Sequence, residues 1–234
     1  MANFKAITTT TYGYKDLTLN LLKSIEKNNI DLDIEVFVSD NKSEIFFQEH
    51  TKNINKFDEQ NVLELNNLLP YGSENFAKVM IQKLKVIHST LLENEYVLYI
   101  DGDIVIKKNI KNFLLNKIKK NDIVFQNDKR PSKPNLINVC AGFMMIKSNK
   151  KMIKFFDPQK LPVEKILGYK THDQTHINRN LSKFKYEILS LNDFPNGPHF
   201  YTYKENLDPA IIHFNYLDST KKIPKMKELN EWYL

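Results

Sequence analysis

One apolar run, Tyr96 to Ile106 (YVLYIDGDIVI), is broken only at its middle, by Asp101-Gly102-Asp103. Five mostly apolar residues ahead of the acids read as a strand covered on both faces, as in a buried parallel sheet. A buried strand that ends in two carboxylates constrains its surroundings. Paired acids are costly there unless a cation holds them, either a divalent metal with oxygen ligands or a Lys or Arg partner. A polar turn between two strands would show the same letters, so the remaining sequence must decide.

Phe4 to Thr11 reads as a first strand, ended by Tyr12-Gly13-Tyr14. Leu17, Leu21, Leu22 and Ile25 follow at helical spacing, and Ile34 to Val38 is a second strand closed by Ser39-Asp40-Asn41. Ser43 can cap a short helix through Phe47, and Val62 to Leu65 can form a third strand. Phe76, Val79, Met80, Leu84, Ile87 and Leu91 make an amphipathic helix that leads into the acidic strand. Further on, a helix is expected over Ile110 to Ile118 and strands over Ile123 to Phe125 and Val139 to Ile146, with a closing helix from Ile223 to Trp232. Gln126 to Asn138, rich in proline and basic residues, reads as a loop. Alternation of strand and helix predicts an α/β fold with a mixed, mainly parallel sheet flanked by helices, in a single domain.

Composition narrows the function. The formal net charge is +6, yet of 34 basic residues only Arg130 and Arg179 are arginine and 32 are lysine. Arginine reads base edges and makes bidentate phosphate contacts, and these lysines are scattered, so nucleic-acid binding is disfavoured. The lone Cys140 excludes an intrachain disulfide and fits a reducing, cytoplasmic setting. No stretch approaches the length of a membrane span, and the first residues show no signal pattern.

An ordered series of motifs adds to this reading. It runs TTTTYGY on the first strand, Ser39-Asp40 after the second, Lys83 on the helix before the DGD, and Gln126-Asn127-Asp128. Asn138-x-x-x-Gly142-Phe143, His172-Asp173-Gln174 with Asn178, and His213-Phe214-Asn215 followed by Lys222-Ile223 and Met226 complete it. Over nearly its whole length the chain resembles the GT-A fold (Rossmann-like) nucleotide-diphospho-sugar transferases. It is most similar to the retaining ones, and to small glycosyltransferases of large DNA viruses. One place departs: Cys140 stands where the family commonly has the Asn of Asn-x-Gly-Phe.

The resemblance implies a nucleotide-binding half over residues 1–106 and a sugar- and acceptor-binding half over 107–234. It implies a Mn²⁺ or Mg²⁺ ion held by Asp101, Asp103 and His213. Thr8, Thr9, Tyr12, Asp40, Lys83, Asp101, Gly142 and Lys222 would bind the donor, most simply a UDP-sugar, with Lys222 reaching the diphosphate from a closing loop. Asp128, Asp173 and Gln174 would face the sugar, and the acceptor would be a hydroxyl of a glycan or protein. A non-catalytic nucleotide- or glycan-binding module of the same fold is the alternative. A haloacid-dehalogenase-like phosphatase also carries D-x-D-x-V, but its nucleophilic Asp lies near the amino terminus, unlike Asp101.

Overall fold

The computed structural model describes residues 3–56, 65–130, 132–133, 135–168 and 172–234. The chain runs β1 (Phe4–Thr10), α1 (Lys15–Lys27), β2 (Ile34–Val38), α2 (Asn41–Gln48), β3 (Ile54–Lys56), α3 (Glu74–Glu93), β4 (Tyr96–Ile100) and β5 (Ile104–Ile106). It continues with α4 (Lys111–Ile118), β6 (Ile123–Asn127), β7 (Val139–Lys147), α5 (Lys150–Phe156), α6 (Val163–Gly168) and α7 (Asp173–Asn178). β8 (Tyr186–Ile188), α8 (Gly197–Tyr203), β9 (Ile211–His213) and α9 (Ser219–Glu228) complete it.

Seven strands form one sheet in the order β3-β2-β1-β4-β7-β6-β8. β1 pairs in parallel with β2 and β4, as do β2 with β3 and β6 with β8, while β7 runs antiparallel between β4 and β6. Alternation along the central strands explains why helices lie on both faces. Val97 and Tyr99 of β4, with Met144 and Ile146 of β7, pack under Leu84 and Ile87 of α3. Leu98 and Ile100, with Phe143 and Met145, pack on the other face against Leu21 of α1 and Leu114 of α4. Full burial of each such side chain contributes about 1.5–3 kcal/mol, so both helix layers are strongly anchored. The whole makes a single domain.

The run Tyr96 to Ile106 is two strands in two sheets. β4 belongs to the large sheet, whereas β5 pairs antiparallel with β9 in a separate ribbon. The acids are therefore at the carboxyl end of a buried strand and also in a turn between strands, so the two readings of DGD coexist. Register then fixes the neighbourhood: Ile104 sits opposite His213, and Phe214 N donates to Asp103 O at 3.0 Å.

Several boundaries differ from expectation. Asp40, not Ser43, caps α2, its Oδ1 accepting from Ser43 N at 2.7 Å. The third parallel strand is Ile54–Lys56. The strand expected at Val62 to Leu65 lies at 62–64 outside the described residues, and Leu65 is not in a strand. β6 extends past Phe125 to Asn127, because a register shift between Phe125 and Gln126 lets the last two residues pair with Cys140 and Val139. The closing helix begins at Ser219, so Lys222 stands on α9 rather than on a loop.

Candidate active site

β4 delivers Asp101 to the floor of a cleft of about 1260 Å³. Asp101 N donates to Gly142 O at 2.7 Å, which ties the turn to β7. The two backbones approach so closely that a Cβ at Gly142 would lie 2.4 Å from Asp101 Oδ2 and 2.7 Å from His213 Cε1. Gly142 therefore makes room for the Asp101 carboxylate and the His213 imidazole.

Asp103 is buried, with Oδ1 3.2 Å from His213 Nε2 and Oδ2 paired with the Lys222 ammonium. Burial alone would raise its carboxyl, but the charge of Lys222, joined by that of His213 when its Nε2 carries a proton, holds it well below the usual carboxylate range. Burial likewise opposes the Lys222 charge, and Asp103 more than compensates, raising the ammonium above its ordinary value.

The tautomer of His213 follows from a neighbour. Gln126 Nε2 donates to the carbonyls of Phe194 (3.3 Å) and Pro195 (2.8 Å), which orients the amide. Its Oε1 must then accept from His213 Nδ1, 2.7 Å away. A neutral His213 consequently turns the lone pair of Nε2 toward Asp103 Oδ1, lone pair against lone pair, an arrangement that a cation between them satisfies. Ligand atoms of Asp101, Asp103 and His213 all lie within 4.8 Å of one another. Two carboxylates and an oriented imidazole form a donor set that fits a divalent cation.

The sequence places Gln126 in the Gln126-Asn127-Asp128 motif and at the start of a loop, and its positioning role is visible only with the register shift in β6. Changing Gln126 to Leu should weaken Mn²⁺ binding to the nucleotide-free protein by about 10–100-fold. Titration calorimetry checks this, with circular dichroism to show that the fold is retained.

A second charged group lies deeper. Lys83, 1 % exposed, sits on the buried face of α3 and pairs with Asp101 Oδ1 at 3.2 Å and Asp173 Oδ2 at 2.8 Å. Its ammonium also lies 4.4 Å from the centroid of the Tyr99 ring, whose hydroxyl donates to Asp101 Oδ1 at 2.8 Å. Burial disfavours the Lys83 charge, yet the two carboxylates outweigh it and raise the ammonium well above its ordinary value.

Asp128 is the third centre. Its carboxylate accepts from Gln174 Nε2 and Tyr216 OH, each at 2.7 Å, Asn215 Nδ2 at 2.9 Å and Asn138 Nδ2 at 3.0 Å. Gln174 Oε1 accepts in turn from Ala141 N at 3.2 Å. Four donors leave the Asp128 carboxylate the organiser of this wall rather than a free acid. Cys140 is buried, its thiol pushed well up by burial. It accepts from Gly142 N at 3.3 Å, as a packed structural group.

Of the residues expected at the site, Thr9, Lys83, Asp101, Asp103, Asp128, Gly142, Asp173, Gln174, His213 and Lys222 line the cleft. Thr8, Tyr12 and Asp40 are not among its lining residues. Thr8 is fully buried within β1, one residue out of phase with Thr9. Asp40 is occupied by its cap and by Ser39 Oγ, Ser43 Oγ and Tyr12 N. Tyr14, two residues beyond Tyr12, lines the cleft instead.

The family profile of nucleotide-diphospho-sugar transferases matches residues 33–229, which include every acid, amide and lysine of this cleft. The chain belongs to that family. A curated relative of this transferase, the UDP-galactose:fucoside alpha-3-galactosyltransferase of Dictyostelium discoideum, is 26% identical across 99% of the chain. The chain spans only 43% of that relative's length. Among solved structures, galactosyltransferase LgtC in complex with donor and acceptor sugar analogs superposes with a TM-score of 0.61 at 13% identity, over 96% of this chain and 94% of that one. A glycosyltransferase involved in glycosylation of the PBCV-1 major capsid gives 0.55 at 11% identity, over 97% and 99%. These likenesses confirm the GT-A fold. Among the described residues, no helix of the transferase is long and apolar enough to cross a membrane.

Proposed function

We propose that this glycosyltransferase is metal-dependent and retaining, moving a sugar from a UDP-sugar to a hydroxyl of a glycan or protein. The observation that carries the reading is the convergence of Asp101, Asp103 and His213 beside Lys222 on the floor of one cleft. Asp101, Asp103 and His213 would hold Mn²⁺ or Mg²⁺, which when bound supplies positive charge to a departing diphosphate. Lys222 adds a second positive charge on the same side, so the chain would meet the leaving group with charge from two sources.

Beside this group the chain would hold the sugar rather than attack it. Asp173 is paired with Lys83, and the Asp128 carboxylate is taken up by four donors. Neither of these acids is a free base. That favours a front-face route in which the departing phosphate oxygen receives the acceptor's hydroxyl proton, while Asp173 and Gln174 orient the sugar. The buried lone cysteine fits a reducing, cytoplasmic compartment.

UDP-galactose, named for the Dictyostelium relative, is the first donor to test. In an NMR time course with Mn²⁺, the donor should be consumed, EDTA should stop the reaction, and the product should keep the α configuration. An inverted linkage contradicts retention, and turnover indifferent to EDTA contradicts the metal's role.

A further inference from the structure

A second cavity, of about 760 Å³, lies beside the cleft and shares Lys129 and Arg130 with it. The wall between them is built rigidly. Lys129 N donates to Asn127 Oδ1 and Lys129 O accepts from Asn196 Nδ2, each at 2.9 Å. Arg130 stacks 4.3 Å from the centroid of Tyr216, the ring whose hydroxyl holds Asp128.

The far wall is tied to the same centre. Asn215 donates to Asp128 Oδ1 and accepts from Gly197 N at 2.7 Å, so the residue that braces the cleft also seats the start of α8. α8 carries His199 and Tyr203, whose rings pack 4.8 Å apart; both line the second cavity, and Tyr203 is 44% exposed. The remaining lining sets Asn192 and Asn206 beside Leu191 and Leu207, and Asp193 and Asp208 beside Lys108, which Asp208 pairs at 2.8 Å. An exposed aromatic face among amides, two leucines and three bases set against two acids suits the apolar ring faces and hydroxyls of a neutral sugar better than a polyanion. The volume is that of a drug-sized ligand, within about 300–1,000 Å³, and so accommodates a short stretch of sugar rings.

We infer that the second cavity is an extended acceptor subsite, which binds the inner sugars of an oligosaccharide whose terminal hydroxyl lies in the cleft, with Tyr203 as a stacking platform. The inference rests on the transferase reading above, and it makes the acceptor a glycan chain rather than a protein or a single sugar.

The test is a length series on the full chain with Mn²⁺ and UDP. Galactose-, glucose-, fucose- and mannose-terminated glycans, from methyl monosaccharide to tetrasaccharide, are titrated by saturation-transfer NMR. In at least one series the tetrasaccharide should bind about tenfold or more tightly than the monosaccharide, a difference of 1.4 kcal/mol. Tyr203→Ala should bring that ratio close to one, and Tyr203→Phe, which keeps the ring, should restore it. Equal affinity along every series, a ratio that survives Tyr203→Ala, or binding to hydroxyl-bearing peptides but to no glycan overturns the subsite. Hydrolysis of UDP-galactose by the same protein preparation, in separate samples with Mn²⁺ and no added UDP, reports on the transferase reading by itself. Hydrolysis with a flat length series counts against the subsite alone.

Discussion

Asp103→Asn is expected to lower donor turnover by about a thousandfold or more, the scale seen when preorganised charge is removed from a developing anion. Asparagine keeps the shape but cannot bind a divalent cation as a carboxylate does, and the Lys222 ammonium loses its partner. Two readouts separate these effects: Mn²⁺ titration should show lost binding, and thermal melting of the metal-free variant should show the consequence of the broken pair. The same carboxyl sets an acid limit. Its folded value lies below the ordinary 3.8, so its stabilisation is fully present above that value and is lost as pH falls toward the folded value. Metal-free wild type should therefore lose stability below about pH 4 more steeply than Asp103→Asn, as urea melts between pH 2 and 6 would show. Equal slopes would contradict the depressed carboxyl.

Lys83→Met should destabilise the fold by about 3–5 kcal/mol, the usual effect of stripping one partner from a buried ion pair. Methionine fills the space of the lysine stem, so the loss comes from charge and not from a cavity. Asp173, 4% exposed, would be left beside Asp101 with no cation between them. For a chain of 234 residues the melting temperature should fall by roughly 6–20 °C. Adding Asp173→Asn should recover part of the loss, because the second change removes one of the stranded charges. A single variant that melts like the wild type would show that Lys83 does not hold these acids. The raised Lys83 ammonium loses its contribution only in strong alkali, so this effect should be flat across neutral pH.

Legibility in the sequence followed the range of the interaction. The strands of the sheet could be read because each repeats locally: β4 and β7 are continuous apolar runs, and α3 shows its stripe at helical spacing. Lys83 entered only through the family resemblance, and its burial among the apolar residues of α3 is seen only in the structure. The metal group was visible in residue type, but only the pairing of β5 with β9 explains why His213 meets Asp103 across more than a hundred residues. Gln126 was hidden, because its importance depends on a bulge in β6 and on two carbonyls near residue 194. Tyr14 was not singled out beside Tyr12 for a similar reason. The short helical turn over Tyr12–Tyr14 rotates the second ring toward the cleft, and β-strand spacing cannot foresee this. Asp40 reads in the sequence as an acid at a strand end, and its cap and three further donors come from residues whose approach only the fold reveals.

The clamp formed by Asp101, Asp103, His213 and Lys222 is tested most directly by calorimetric titration of UDP into the wild-type protein, with Mn²⁺ and with EDTA. UDP should bind at least about a hundredfold more tightly with the metal, a difference of about 2.7 kcal/mol, because Asp101, Asp103 and His213 would hold a cation whose charge adds to that of Lys222 against the diphosphate. Equal affinity in EDTA, or no binding in either condition, would contradict the metal bridge.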